Sequence, residues 1–177
     1  MPVIVEGISV VTRADAIASK LQDGTKGFLA FVPNQTYCSD EELTRVGFMT
    51  PMDTEAFVRR LTSAGLIHLK DGAAIDIVVV DQLTGPLSSC SWIEYGQIAI
   101  DSARTQRVAV CRLKGSGSNR VVMPSGWTFE KSLSNSHKFV PTEQVATTMK
   151  FLRHENGVDV YLDLVTGKEK YVGRTGA

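Results

Sequence analysis

Three cysteines in 177 residues, Cys38, Cys90 and Cys111, are too few and too scattered for a disulfide framework or a metal finger. Reduced thiols are the expectation, and with them a cytoplasmic protein. Histidine is equally sparse. His68, His137 and His154 form no i,i+4 pair and no His-Glu-x-x-His, so no metal site is expected. Charge of one sign is missing too, with 19 basic against 19 acidic residues. Without a basic excess, nucleic acid is not an expected partner. Long apolar runs are absent. Ile77–Val80 is closed by Asp76 and Asp81, which is far too short to cross a bilayer. The N-terminus, Met1-Pro2-Val3-Ile4-Val5-Glu6, lacks a basic segment and is not read as a signal peptide. Proline is limited to six residues, and the 15 glycines follow no collagen period.

What is present is an ordinary folding composition, 43% hydrophobic and 21% charged. A chain this long buries roughly two-thirds of its unfolded surface, enough for one real core. The charge is unevenly placed. Residues 1–90 carry 7 basic and 11 acidic side chains, and residues 91–177 carry 12 and 8. Such a split is either a dipolar surface that steers a partner or an uneven scatter.

Val3–Val11 reads as extended, broken at Gly7. Thr12 is expected to cap a helix whose apolar positions are Ala14, Ile17, Ala18 and Leu21, closed by Gly24. Gly27–Val32 reads as a strand. Pro33–Phe48 is ambiguous, with Ser39 and Glu42 as a capping signature and at most a short helix. Next comes the best-specified helix. Thr50 caps it, Pro51 takes the first position, Asp53 faces the positive end, and Ala56, Phe57, Leu61 and Ala64 form its stripe up to Gly65.

Leu66–Leu69 and Ala74–Val80 predict a hairpin across Asp71-Gly72. Ile75, Ile77 and Val79 face one way and Val78 and Val80 the other, so this strand is expected to be covered on both sides. Asp81–Ser89 reads as a loop. Ser91–Ile100 and Arg107–Leu113 read as strands, the latter returning through Lys114–Asn119 to Arg120–Met123 as a hairpin. Lys131–Lys138 reads as irregular. Thr142–Arg153 reads as a third helix, and Val158–Val165 with Lys168–Val172 as a hairpin around Gly167. Asp81–Gly85 faintly echoes Asp163–Gly167, which raises a helix-plus-hairpin duplication over 50–85 and 142–172.

These elements predict a single α+β domain over 1–177. Roughly six to eight strands, antiparallel or mixed, are covered by two or three helices. Doubly apolar strands need cover from helices or another subunit, which makes a homodimer the default expectation.

No nucleophile elbow, phosphate loop or dinucleotide fingerprint occurs. Cys111, inside an apolar strand, reads as an inert buried thiol, and Cys90 as the more exposed one. Lys114-Gly115-Ser116-Gly117 lacks the helix N-terminus that makes anion seats strong. No catalytic residue or cofactor is assigned. The leading expectation is a non-catalytic protein-interaction, immunity-like or accessory protein, with Trp92, Glu94, Tyr95 and Trp127 as its anchor. The alternative is a small-molecule enzyme or ligand-binding protein with Asp81, Glu94 and His137 in a pocket.

Overall fold

The computed structural model describes residues 1–104, 106–118, 120–136, 149–155, 158–164, 167 and 169–173. The fold is α+β with antiparallel sheets. Its first strand pair shows how the layers arise. β1 (Val3–Val5) and β2 (Ile8–Arg13) are consecutive, yet they belong to different sheets. The chain crosses between sheets at Glu6-Gly7. Gly7 has φ +57°, and a Cβ there would stand 2.6 Å from the Phe48 carbonyl oxygen, so only glycine fits.

The central sheet has the order β3-β4-β2-β7-β8. It contains β3 (Cys38–Ser39), β4 (Leu43–Phe48), β7 (Ile77–Asp81) and β8 (Gly85–Pro86) beside β2. Strand alternation gives it two faces. Val10, Val46, Phe48 and Ile77 pack with the helices α1 (Ala14–Lys20), α2 (Gly24–Phe31) and α3 (Pro51–Ser63) through Ile17, Phe28, Phe57 and Leu61. Val11, Leu43, Val78 and Val80 pack instead with β1, β9 (Ile93–Ala99) and β10 (Arg107–Leu113) through Val3, Val5, Val108 and Val110. Those three strands form a second sheet, β1-β10-β9. The result is three layers, helices, sheet and sheet, with two cores. The predicted double cover of Ile77–Val80 is therefore supplied within the chain.

Several local expectations hold. Thr50 Oγ1 accepts from the Asp53 N–H at 3.1 Å, Pro51 opens α3, and Gly65 follows at φ +112°. The buried stripe of α3 is Thr54, Phe57, Val58 and Leu61, so Ala56 of the predicted stripe lies outside it. Asp71 (φ 52°) and Gly72 (φ 79°) turn β5 (Leu69–Lys70) into β6 (Ala73–Ala74).

Other expectations are corrected. Gly27–Val32 is not a strand but the end of α2, because burying Phe28 against Tyr37 and Phe57 leaves Leu29 free to face solvent. Gly24 opens that helix rather than closing α1. Arg13, not Thr12, is the residue before α1, since β2 runs on to Arg13. Pro33–Phe48 holds strands, with Asp40 Oδ1 accepting from the Glu42 and Leu43 N–H groups to turn β3 into β4. Arg120–Met123 does not return along β10, which is already flanked by β1 and β9. Val122 instead bridges Val3 in parallel. Lys131 ends a 3-10 turn, Phe129–Lys131, and α4 (Leu133–Ser136) follows.

At the C-terminal end, β11 (Met149–Glu155), β12 (Val158–Asp163) and β13 (Glu169–Gly173) form an antiparallel meander. The predicted β12–β13 hairpin is present, with Gly167 at φ +68°. Met149–Arg153 is strand where a helix was predicted, because it pairs with β12. The preceding part of that predicted helix lies outside the described residues. Among the described residues there are thirteen strands, more than the expected six to eight. Four of them, β3, β5, β6 and β8, are only two residues long, too short to show an alternation of their own.

Candidate functional site

The predicted anchor residues are separated. Trp92 is half-buried just before β9, where its Nε1 donates to the Ala74 carbonyl at 3.0 Å and the Arg13 guanidinium stands 6.0 Å from its ring. The Tyr95 hydroxyl donates to the Gln82 carbonyl at 2.6 Å. Its ring packs over Gly85, where an added Cβ would approach to 3.0 Å. Burial, with the Asp81 charge adding, pushes the Tyr95 phenol up to about 12. Glu94 and Arg112 stand directly opposite across β9 and β10 and pair at 2.7 Å. Trp127 lies elsewhere.

The predicted pocket residues are not joined either. Asp81 Oδ1 accepts from the Leu83 and Thr84 N–H groups and from Thr84 Oγ1, which makes it a turn cap. No hydrogen bond or ion pair links it to Glu94 among the described residues. His137 lies outside the described residues. All three cysteines are free, and burial raises every thiol: Cys38 to about 11, Cys111 to about 12, and Cys90 upward. His68 is half-buried and burial lowers its pKa. Among the described residues no group of His, Cys, Asp or Glu could hold a metal ion, and no helix is long and apolar enough to cross a membrane.

A different site emerges where four distant segments meet. A cleft of about 780 Å³ opens between the Pro33–Thr36 loop, β4, α3 and the 124–133 segment. Its floor is Arg45. On β4 the alternation Leu43, Arg45, Gly47 points between the two sheets, while Thr44, Val46 and Phe48 point to the helices. Arg45 is thus 2% exposed. Its Nε donates to Ser9 Oγ at 2.9 Å, Nη1 to the Thr36 carbonyl at 3.0 Å, and Nη2 to the Glu6 carbonyl at 2.8 Å. Gly47, two residues on along the same face, leaves room for the guanidinium. A Cβ there would come within 2.7 Å of Arg45 Cζ. The loop is pinned over Gly47, whose N–H donates to Thr36 Oγ1 at 2.7 Å and whose carbonyl accepts from Asn34 Nδ2 at 2.9 Å.

Glu6 forms the adjoining wall and is 9% exposed. Its Oε2 accepts from Trp127 Nε1 at 3.1 Å. Its Oε1 accepts from the Ser134 N–H at 3.2 Å and from Ser134 Oγ at 2.9 Å. The sheet crossing thereby holds the 127–134 segment in place. Phe48, Phe57 and Trp127 add apolar surface, and Arg60 and Lys131 add positive charge.

Electrostatically the floor is unusual. Buried arginines are normally paired with carboxylates. All three acceptors of Arg45 are neutral, and among the described residues no carboxylate stands within ion-pair reach. Burial pulls its pKa below that of a free guanidinium, which the Glu6 charge partly offsets.

Comparison with protein-family models, with curated proteins and with solved structures finds no match. The chemistry therefore rests on the residues themselves. No cysteine or histidine lines the cleft among the described residues, and both carboxylate oxygens of Glu6 are engaged. The arrangement is suited to holding a ligand: an apolar wall with a few fixed polar groups. Of the predicted site residues that are described, only Trp127 belongs to it. Arg45 and Glu6 went unread, although Arg45-x-Gly47 inside an apolar alternation is a signal that a cation lies on an inward face.

Proposed function

We propose that the protein binds a small organic molecule in the cleft floored by Arg45. One observation carries this reading: a cavity of about 780 Å³ whose apolar walls converge on a buried cation. The placement of Trp127 in the wall supports it and supplies an optical reporter. The test is a fragment screen on the full chain, followed by amide chemical-shift mapping. Binders are expected to shift Gly47, Phe48, Ser125 and Trp127 together. Hits that map consistently to other surfaces would remove the reading.

A second reading, a non-catalytic interaction protein, is supported by the half-exposed Trp92 and by β9, which is an edge strand of its sheet. Hydrogen exchange of β9 amides, free and with a captured partner, distinguishes it. Protection gained along Ile93–Ala99 is expected. Unchanged exchange there would count against the edge as a contact.

A further inference from the structure

We propose that Arg45 is the anchor for an oxyanion, a carboxylate or phosphate group, on the molecule bound in the cleft. This rests on the reading of the cleft as a small-molecule site and names the ligand class for it.

A guanidinium carries five N–H donors. Three of Arg45's are used on Ser9, Thr36 and Glu6, so one N–H on each terminal nitrogen has no protein acceptor. Arg45 is 2% exposed and lines the cleft, so water solvates those two groups only through the cleft itself. An oxyanion can accept from these two N–H groups, and charge-assisted bonds of this kind are the strong ones that arginine makes. The fixed acceptors around Nε, Nη1 and Nη2 hold the plane of the fork before a ligand arrives, which lowers the ordering cost of binding.

Charge favours the same ligand. Of the ionised side chains lining the cleft, Arg45, Arg60 and Lys131 are cationic. Glu6 and Asp53 are anionic and already engaged, Glu6 by Trp127 and Ser134 and Asp53 by Thr50. A neutral ligand leaves the buried Arg45 charge offset only in part, by the Glu6 charge, whereas an oxyanion pairs with it directly.

The experiment compares charged and neutral probes of closely similar shape on the full chain by calorimetric titration: benzoate against benzamide, and phenyl phosphate against phenyl methanesulfonate. The Arg45 Nε–H resonance serves as a local readout. At least one anion is expected to bind roughly tenfold or more tightly than its neutral counterpart, the factor that hydrogen bonds to a charged group supply, and to shift the Arg45 signal. Which anion wins distinguishes carboxylate from phosphate. Arg45→Met should abolish that preference. If this variant does not fold, the charged and neutral pairs on the native chain still decide the matter. Equal binding of both members of each pair overturns the oxyanion anchor and leaves the cleft reading standing. Binding by none of the four overturns both. A preference lost in Arg60→Gln but kept in Arg45→Met moves the anion to the rim and overturns the assignment.

Discussion

The buried side chains of single residues set both the stability and the reactivity of this molecule. Gly47 and Arg45 are a coupled pair, since any Cβ at Gly47 collides with the guanidinium. Gly47→Ala is expected to cost about 1–3 kcal/mol by overpacking. In an Arg45→Ala background, where the guanidinium is gone, the same change should cost little. Urea denaturation of the four proteins in that cycle reads the coupling, and equal cost in both backgrounds would dissociate the pair. The thiols give a pH prediction. Folded Cys38 and Cys111 titrate near 11 and 12, against an ordinary thiol value of 9.0. Below pH 9 both states hold their protons and the thiols contribute no pH dependence. Above it the unfolded chain loses protons first, so stability falls as pH rises from 9 towards 12. The urea midpoint should drop from pH 8 to pH 10, and Cys38→Ala should lessen the drop. Iodoacetamide at pH 8 should modify the half-buried Cys90 in the native protein and reach Cys38 and Cys111 only after unfolding.

Elements that signal locally were legible, and elements decided by partners were not. α3 announces itself because Thr50, Pro51, Asp53 and Gly65 each satisfy a terminus within one turn of it. The Asp71-Gly72 hairpin does the same through two positive φ angles. By contrast, Phe28–Val32 is a short apolar run whose period fits strand or helix equally, and only contact with Phe57 and Tyr37 decides it. Met149–Arg153 has helical spacing but is drawn into β11 by β12. The same dependence on partners governs how elements are joined. Asp76 is buried just before β7 and accepts from Lys20 Nζ at 2.7 and 2.9 Å and from the Ile67 N–H at 2.7 Å. Its main-chain carbonyl accepts from the Arg13 N–H. One residue thus fastens α1, the segment after α3, and β2. Asp76→Ala should destabilise by roughly 2–3 kcal/mol, less than for a fully buried pair because Lys20 is 36% exposed. A change under about 0.5 kcal/mol, the scale of ordinary surface substitutions, would show that the carboxylate is not a fastening.

At the scale of the whole molecule the two halves of the sequence are interleaved. β1, from the acidic half, pairs with β10 from the basic half, so the charge split does not mark two domains side by side. The cleft is a product of that interleaving, and it was illegible in the sequence for this reason. Glu6 and Ser134, which meet behind one of its walls, are 128 residues apart. The wall formed by Trp127–Ser134 owes its position to Glu6, which receives three hydrogen bonds from Trp127 and Ser134. The three-layer body does not depend on them, because its cores lie between β1-β10-β9, the central sheet and the helices. Glu6→Ala should therefore loosen the wall selectively. Hydrogen bonds to a charged group are worth about 1.5–3 kcal/mol each, so losing even one net bond of that size is roughly a tenfold rise in local opening. Hydrogen exchange should show amides around Ser134 exchanging at least about tenfold faster, with β2 and β4 amides little changed and Trp127 emission moving to the red. Uniform acceleration across all layers would instead make Glu6 a global support. No acceleration at Ser134 would mean that packing of Leu133 and Phe129 alone fixes the wall.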